Sequence, residues 1–193
     1  MPLLPSDVIA SYDYLIFAQF WMVGECCSDN NYSNKNCSVI RPEISIHGLW
    51  PTINNGSWPE YCQNIPFNTS ILPQDISNYW YSSDGDNNLF YEHEWRKHGT
   101  CMNTSQSDYF NLALFLDKQL QANITDNPLK LKSEYPRRIK LVCNACILEQ
   151  IYSCWDKEIY PIECNDERKV WMQNDREYTD CSGCVKLNLC LDP

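Results

Sequence analysis

The apolar positions of the chain recur with two periods, one typical of strands and one typical of helices. Runs rich in aromatic and β-branched residues, or alternating between apolar and polar side chains, predict strands. This pattern occurs at residues 12–23, 44–47, 138–142, 148–155 and 160–164. Gly48 and Pro51 are expected to end the second of these strands, and the last two strands are expected to pair as a hairpin.

Helical spacing dominates the middle of the chain. Residues 90–98 contain neither glycine nor proline, and Gly99 follows them as a natural C-terminal stop. Residues 107–121 repeat apolar side chains at helical spacing, and Ser107 is the expected N-cap of this second helix. Loops are predicted where polar residues and prolines cluster, at residues 24–42 and 52–75.

The size and composition of the chain fit a single globular domain. Its 193 residues are enough for one substantial core, and 44% of them are hydrophobic. We therefore predict one α+β domain over residues 1–193, with its core at about residues 12–190. No apolar stretch approaches the roughly 20 residues that span a bilayer. The first residues lack the basic and apolar regions of a signal peptide, so we expect a mature or artificial N-terminus.

Twelve cysteines indicate an oxidising compartment, and their even number permits complete pairing into disulfides. Zinc is the alternative, because Cys143–Cys146 and Cys181–Cys184 have the Cys-x-x-Cys spacing of a zinc ribbon. However, the 34 residues between the two pairs make a longer gap than such ribbons have. Cys154 and Cys164 also fall inside that gap, so disulfides are favoured.

Six N-x-S/T sequons also favour a secreted glycoprotein. They begin at Asn31, Asn36, Asn55, Asn68, Asn103 and Asn123. A chain this rich in asparagine and serine contains some sequons by chance, so a few alone would carry little weight. Six sequons beside twelve cysteines fit secretion.

The net charge of −10 at pH 7 argues against tight binding along an extended nucleic acid. Such binding depends on many lysine and arginine contacts to phosphate. An acidic protein can still act on a polyanion through a small, locally positive site. Acidic pH would help, because protonation of histidines and carboxylates reduces the repulsion.

The three histidines of the chain all lie in two short segments. His47 belongs to the segment Ile46–Pro51, whereas His93 and His98 belong to Tyr91–Cys101. Imidazole exchanges protons near neutral pH, so this clustering suggests acid–base catalysis. Taken alone, each histidine could equally be a surface, capping or core residue.

The spacing within the second segment disfavours a zinc protease. On a helix, Glu94 and His98 share one face because they are four residues apart. His93 and Lys97 share the neighbouring face for the same reason. The zinc-binding H-E-x-x-H pattern needs two histidines four residues apart, whereas these two are five apart, or about 140° around the helix axis. We expect no metal site and no cofactor.

Cleavage of RNA suits this set of residues better. One histidine can take a proton from a hydroxyl while a second protonates the leaving oxygen. A lysine and a carboxyl group can stabilise the charge that develops between them. RNA carries the required hydroxyl beside its own phosphate, as the 2′-OH. This reaction needs neither a metal ion nor a nucleophile from the enzyme.

The two segments resemble the active-site segments of the ribonuclease T2 family. The similarity is nearly residue for residue in Ile46–Pro51 and in His93–Cys101, in the same order and at a fitting separation. Residues resembling the family's first core strand, a helix and a late hairpin lie at 17–21, 109–116 and 148–164. The resemblance implies a disulfide-rich α+β fold with a central antiparallel sheet flanked by helices. It also implies an endoribonuclease that cleaves single-stranded RNA and leaves DNA intact.

The resemblance assigns a role to each polar residue of the two segments. His98 would be the general base that takes the 2′-OH proton, and His47 would be the general acid that protonates the leaving 5′-oxygen. His93 would hold the phosphate, while Glu94 and Lys97 would stabilise the pentacoordinate transition state. The 2′,3′-cyclic phosphate formed first would then be hydrolysed to a 3′-phosphate with the two roles exchanged. Because the base must be neutral while the acid is protonated, activity should be bell-shaped in pH.

The resemblance also implies that aromatic side chains sandwich a base. The candidates close to the two segments are Trp50, Trp80, Phe90 and Tyr91. Core packing is the alternative for Trp80 and Tyr91. Gln19 in the first strand is a further candidate substrate ligand, whereas its neighbour Phe20 occupies a position where many relatives have a polar residue. The base preference is therefore open.

Several disulfides follow from the same resemblance. Cys62–Cys101 would tie the loop after the first segment to the end of the second, and so hold the two segments together. Cys154–Cys164 would close the late hairpin, and Cys26–Cys37 is also expected. Cys143 would pair with Cys181 or Cys184, and we predict Cys143–Cys184. Partners stay open for Cys27, Cys146 and Cys190.

The alternative function is an RNA-binding or signalling protein on the same scaffold, with catalysis secondary. The presence of both histidines, Glu94 and Lys97 favours the enzyme. We expect a monomer that is secreted or lies in the lumen of an acidic compartment such as a lysosome or vacuole. Single-stranded RNA is its expected partner, with no DNA and no membrane span.

Overall fold

An antiparallel sheet forms the centre of the fold. The computed structural model describes residues 11–27, 43–54, 57–83, 85–121, 128–134, 137–144, 146–164, 170–173 and 176–181. The strands in this part of the chain are β1 (Tyr14–Trp21), β2 (Ile44–Thr52), β3 (Ile139–Asn144), β4 (Ile147–Trp155), β5 (Pro161–Ile162), β6 (Val170–Gln173) and β7 (Arg176–Asp180). They lie in the order β2-β1-β4-β3-β7-β6, and β5 pairs with β4.

Helices accompany the sheet and complete the predicted α+β fold. The α-helices of the described chain are α1 (Met22–Cys27), α2 (Asn87–Lys97), α3 (Gln106–Gln121) and α4 (Pro128–Glu134). Short 3-10 turns lie at Thr69–Ile71, Ile76–Asn78 and Gly99–Cys101. The prediction of an antiparallel sheet flanked by helices and held by disulfides is confirmed.

Side chains of β1 alternate between two layers of the core. Leu15 and Phe17 pack in one cluster with Trp95 of α2 and Phe110 of α3. Ala18 belongs to a separate cluster on the opposite face, because successive side chains of a strand point to opposite sides. The sheet therefore has one face covered by α2 and α3.

The strand that begins at Ile44 runs further than its sequence pattern predicts. β2 continues through Gly48 and Pro51 to Thr52, so the prediction that these two residues end the strand is wrong. β2 is the outermost strand on its side of the described sheet. Proline is tolerated in an edge strand because its missing N–H leaves no gap in the hydrogen-bond ladder.

A β-bulge in β2 changes the direction of its side chains. The register shifts between Ala18 and Gln19 of β1, which leaves His47 as an extra residue in β2. Ile46 and Leu49 both join the core cluster, although a regular strand would place residues three apart on opposite faces. Bulges of this kind re-aim one side chain. Ile46 and Leu49 are therefore buried against α2 and α3, while the His47 side chain lies against Phe20 of β1.

Both long helices predicted from the sequence exist, and their caps define where they begin. α2 begins three residues earlier than predicted, because Asp86 caps its first turn. Ser105 rather than Ser107 caps α3, since the Ser105 hydroxyl accepts a hydrogen bond from the backbone N–H of Asp108 at 3.1 Å. The sequence pattern did not predict α1, α4, β6 and β7, which are too short to show a clear apolar period.

Two of the predicted disulfides are confirmed. Cys62–Cys101, whose Cα atoms are 5.0 Å apart, ties the loop after β2 to the 3-10 turn that follows α2. Cys154–Cys164 links β4 to the segment just after β5. Each cross-link restricts the unfolded chain, which in general stabilises a fold by about 2–4 kcal/mol.

Cys143 pairs with Cys181, so the predicted Cys143–Cys184 disulfide is wrong. β3 pairs with β7, and the backbone N–H of Cys181, just after β7, donates to the carbonyl of Leu141 on β3. This pairing places Cys181 beside Cys143, while Cys184 lies outside the described residues. A sulfur in a disulfide is not a zinc ligand, and Cys146 is also disulfide-bonded. The zinc-ribbon alternative is therefore wrong.

Several predictions concern residues at or beyond the limits of the described chain. Cys26 is disulfide-bonded, but its predicted partner Cys37 lies outside the described residues. Asn68 and Asn103 are exposed, as glycosylation requires. The other sequons lie outside the described residues, at Asn31, Asn36, Asn55 and Asn123. Among the described helices, none combines the length and the apolar character needed to cross a membrane.

Candidate active site

The two histidine-bearing segments meet where α2 packs against β2. The Glu94 carboxyl group lies between two imidazoles: its Oε1 is 3.7 Å from His47 Nε2, and its Oε2 is 4.0 Å from His98 Nε2. His98 caps the C-terminal end of α2, one turn after Glu94, which confirms that the two share a helix face. All three side chains are buried, with 1–5% of each residue exposed.

Gly48 creates the space for the Glu94 carboxyl group. A Cβ atom at position 48 would lie 2.0 Å from Glu94 Oε2 and 2.5 Å from Trp50 Nε1. The Trp50 indole and the Glu94 carboxyl group occupy that space, and the indole N–H donates to Glu94 Oε2 at 3.0 Å. A side chain at this position would therefore collide with the group that lies between the imidazoles.

Gly48→Ala is expected to lower kcat by roughly 100-fold, because displacing a catalytic group by about 1 Å has effects of that size. The added methyl group must push the Glu94 carboxyl away from the imidazoles. Steady-state cleavage of a dinucleoside phosphate at saturating substrate measures the effect. Gly85→Ala is the control: Gly85 has a φ of 87° but no atom near its Cβ position, so that variant should lose stability and keep its kcat. Equal kcat for Gly48→Ala and the wild type would contradict this account.

Burial disfavours the charged forms of the three central groups, His47, Glu94 and His98. Loss of hydration lowers the pKa of His47 to about 3, although its contact with Gln150 opposes that shift and His93 and Lys97 add to it. Burial also holds the pKa of His98 well below its ordinary value and raises the pKa of Glu94 to about 8. At mildly acidic pH, the carboxyl group therefore carries a proton and the two imidazoles are neutral.

Two basic side chains of α2 lie beside this buried group. His93 is exposed, and its pKa is lowered by burial of part of the ring and by Lys97, with Glu60 opposing. Lys97 Nζ lies 3.3 Å from Glu60 Oε1. The same Glu60 oxygen accepts a hydrogen bond from the Trp58 indole at 2.7 Å. An anion entering here would meet the His93 imidazole and the Lys97 cation, which is already paired with a carboxylate.

The loop that carries Glu60 is fixed to the end of α2. The backbone N–H of Tyr61 donates to the Lys97 carbonyl at 3.0 Å, and the Cys62–Cys101 disulfide follows immediately. Tyr61 adopts a φ of 51°, a left-handed conformation that is rare for an aromatic residue. These attachments hold Glu60 and the exposed Trp58 ring beside Lys97.

Aromatic rings cover His47 on several sides. Phe20 stacks on the imidazole with ring centroids 4.0 Å apart and planes 17° apart. Trp50 meets it edge-on at 4.9 Å, and Phe90 lies 5.8 Å away. Trp50 and Phe90 are half-buried and remain candidates to contact a base. Phe20 covers the His47 ring, which is a use of this position that the sequence did not suggest.

Three of the predicted substrate ligands lie in the core instead. Trp80 is fully buried among aromatic rings, and the Tyr91 hydroxyl donates to the Trp80 carbonyl. Gln19 points to the opposite face of the sheet from His47, where its Nε2 donates to Asp117 Oδ1 of α3 at 2.9 Å. None of these side chains is more than 2% exposed, so no face is open to a base. We therefore correct their assignment from substrate binding to core packing.

Residues that sequence reasoning missed complete the site. Gln150 Oε1 lies 3.0 Å from His47 Nδ1, and Glu60 pairs with Lys97. Gln150 gave one signal in the sequence, because a polar residue within the apolar strand at 148–155 must find a buried partner. Glu60 lies in a predicted loop and gave no such signal. Within the described chain, no cluster of three or more His, Cys, Asp or Glu side chains could hold a metal ion.

Known proteins resemble this chain in sequence over most of its length. Ribonuclease DdI of Dictyostelium discoideum is 35% identical over 206 residues, which cover 94% of this chain and 87% of that relative. Ribonuclease T2 of Sus scrofa is 35% identical over 130 residues, or 61% of this chain and 60% of the relative. Extracellular ribonuclease LE of Solanum lycopersicum is 33% identical over 56% of this chain and 52% of its own length. The chain thus spans only about half to three fifths of the latter two proteins.

Solved structures share the fold. RNase NT in complex with 5′-AMP matches with a TM-score of 0.70 at 23% identity, over 92% of this chain and 98% of that one. Ribonuclease MC1 from the seeds of bitter gourd matches with a TM-score of 0.64 at 23% identity, over 76% and 90% of the two chains. The model of the Ribonuclease T2 family matches residues 12–182, a range that contains the whole histidine–carboxyl site. With that match and the Dictyostelium relative, the chain belongs to the ribonuclease T2 family.

Proposed function

We propose that the protein is an endoribonuclease that cleaves single-stranded RNA by attack of the 2′-OH on the neighbouring phosphate. The observation that carries this proposal is the Glu94 carboxyl group lying 3.7 Å from one buried imidazole and 4.0 Å from another, beside Lys97. Two imidazoles supply a base and an acid, which this reaction requires. Every polar residue expected from the two segments lies in or beside one site, and this favours an enzyme over a protein that only binds RNA.

His98 and His47 move the two protons of the first step. His98 takes the 2′-OH proton while the 2′-oxygen forms a bond to phosphorus. The bond from phosphorus to the 5′-oxygen breaks, and His47 gives that oxygen a proton. The product is a 2′,3′-cyclic phosphate. Water then opens the ring with the roles of the two histidines exchanged, which leaves a 3′-phosphate.

The remaining polar side chains stabilise the charge on phosphorus. His93 and Lys97 lie at the exposed side of the site, where the imidazole N–H and the lysine cation would hold the phosphate and stabilise the pentacoordinate transition state. The protonated Glu94 carboxyl group is close to both imidazoles and can donate to a phosphate oxygen. Because burial favours the neutral His47 imidazole, the negative charge of the phosphate would favour its protonation.

One assay separates this function from its alternatives. The protein is incubated with single-stranded RNA and with DNA of the same sequence, each with and without EDTA. We expect RNA to be cut to cyclic-phosphate ends, DNA to stay intact because it lacks the 2′-OH, and EDTA to have no effect. Cleavage of DNA, or complete loss of activity in EDTA, would overturn the proposed mechanism.

Glu60→Gln is expected to lower KM about fivefold at low salt, equivalent to about 1 kcal/mol. Glu60 lies 3.3 Å from Lys97 and competes with the phosphate for this cation. The difference should shrink above about 0.5 M salt, where charges on half-exposed groups are screened. Glu163→Gln is the matched control, because it removes the same charge from a surface pair with Arg137. Equal KM values for the two variants would show that Glu60 does not compete with substrate.

The disulfides bear on the compartment in which the protein works. The described cysteines include none that is free, which supports a secreted protein or one in the lumen of an acidic compartment. We further propose that it acts as a monomer and needs no metal ion or cofactor. Light scattering of the purified protein, at the concentrations used for activity, tests the monomer.

A further inference from the structure

A side chain from the far side of the central strand contacts His47. Gln150 lies on β4, and β1 separates β4 from β2. Nevertheless, Gln150 Oε1 is 3.0 Å from His47 Nδ1, and the two residues are only 1% and 5% exposed. This contact has no part in the proton transfers described above, since it involves the imidazole nitrogen opposite the one that faces Glu94.

The central strand is shaped to let this contact form. Ala18 of β1 pairs with Gly48 on one side and with Tyr152 on the other. Ala18 carries only a methyl group on the central strand between these two neighbours. The bulge turns His47 out of the regular alternation, and Phe20 stacks on its ring from β1. Two side chains from non-adjacent strands therefore meet across β1.

Tyr152 shares the Gln150 amide oxygen that faces the imidazole. The Tyr152 hydroxyl donates to the same Gln150 Oε1 at 3.0 Å. The same amide oxygen faces Nδ1 of His47. An amide oxygen can only accept, so a hydrogen bond between the two requires a proton on Nδ1. In the neutral ring, Nε2 is then the nitrogen without a proton, and it is the one 3.7 Å from Glu94.

We propose that Gln150, held by Tyr152, is a positioning residue that keeps His47 in the tautomer whose Nε2 exchanges protons with the substrate. This inference rests on the proposed function, in which His47 protonates the leaving oxygen. Without the amide oxygen, the neutral ring could place its proton on Nε2 and turn away from the 5′-oxygen. The contact orders a catalytic ring by means of a residue 103 positions away in the chain.

The groups that face His47 define what a change at Gln150 would do to its protonation. Glu94, His98, His93 and Lys97 face it from α2 and its C-cap, while β1 contributes only the apolar Phe20 and Ala18. Besides Gln150, β4 contributes the hydroxyl of Tyr152. A carboxylate in place of the amide would therefore be the one new charge on the Nδ1 side, and it would favour the imidazolium.

Gln150→Met and Gln150→Glu test the proposal in opposite directions. Methionine keeps the volume but removes the acceptor, so kcat should fall about 100-fold while KM changes less than about threefold. Glutamate restores an acceptor for Nδ1–H, so its kcat should exceed that of the methionine variant, and its pH optimum should move to higher pH. Tyr152→Phe should lower kcat by less, about threefold to tenfold, because the Gln150 amide stays and loses only the hydrogen bond from the tyrosine hydroxyl.

A buried glutamine outside the site provides the control. Gln106 is 5% exposed and bonds to the backbone of Asn68, so Gln106→Met should lose stability without losing kcat. Nitrogen-15 NMR of labelled histidine reads the tautomer directly: the wild type should show Nδ1–H for His47, and Gln150→Met should lose that preference. A wild-type kcat and pH profile for Gln150→Met, or an Nε2–H tautomer in the wild type, would overturn the proposal. If the wild type failed to cut RNA, the proposed function would fall, while the NMR measurement would still decide the contact.

Discussion

His98→Ala and His47→Ala are each expected to lower kcat for RNA cleavage by about 100- to 10,000-fold, the usual contribution of a positioned base or acid. Both side chains are buried beside Glu94, and the proposed mechanism assigns them the two proton transfers of the first step. Each variant should also lose hydrolysis of the cyclic phosphate, since the two histidines exchange roles there. His93→Ala should act differently and raise KM more than it lowers kcat, because the proposed mechanism has the exposed His93 hold the phosphate.

A substrate with a good leaving group distinguishes the base from the acid. A nucleoside 3′-(4-nitrophenyl phosphate) releases 4-nitrophenolate, which leaves without being protonated. His47→Ala should therefore recover most of its activity on this substrate, whereas His98→Ala should not, because the 2′-OH must still lose its proton. Recovery by His98→Ala instead would reverse the two assignments. Wild-type rates for either variant on RNA would remove both histidines from the mechanism.

Glu94→Gln is expected to change activity and stability in opposite directions. The amide keeps an oxygen for the Trp50 indole, but it carries no exchangeable proton between the two imidazoles, so kcat should fall about 100-fold. Burial raises the pKa of the Glu94 carboxyl from its ordinary value of 4.5 to about 8. The folded protein thus holds this group in its protonated form, which glutamine resembles.

The gain in stability should appear as the pH rises. Below about pH 4.5 the carboxyl group is protonated in the folded and the unfolded chain, so the variant and the wild type should unfold at similar temperatures. Between pH 4.5 and about 8 the unfolded wild type releases this proton and the folded protein does not, which makes unfolding easier. The variant lacks this penalty, so its advantage in Tm should grow across that range.

Thermal unfolding from pH 4 to 8 measures the effect. Glu92→Gln is the matched control, because Glu92 lies on the same helix in an exposed pair with Arg96 and should change Tm little at any pH. A Glu94→Gln variant less stable than the wild type at pH 8 would mean that the carboxylate is stabilised in the folded protein. That outcome would mean that the Glu94 carboxyl group is not protonated in the folded protein.

The contact in the site that spacing alone could predict joins two residues that are close together in the chain. Glu94 and His98 contact each other because they are one helical turn apart, and such a pair follows from spacing alone. Cys62–Cys101 was accessible through the family resemblance. Gln150 was not, because its contact with His47 depends on strand order and on a bulge that the hydrophobic pattern does not encode.

The errors have a similar physical origin. Trp80 and Tyr91 lie near the catalytic segments in sequence, but packing against α3 turns them into the core. An aromatic ring serves a core and a base-binding surface equally well, so residue type could not decide between the two. Cys143 had two candidate partners three residues apart, and only the pairing of β3 with β7 selects Cys181.

The contact between Gly48 and Glu94 links the evolution of two positions that lie far apart in the chain. Glu94 Oε2 occupies the space in which a side chain at position 48 would lie. As long as selection keeps the carboxyl group, any larger residue at position 48 should be eliminated. A lineage that abandoned catalysis and shortened both residue 94 and residue 50 would lift that constraint, because the Trp50 indole also lies against position 48. Position 48 should then begin to vary. Comparison of active and inactive descendants of this fold would reveal such paired change.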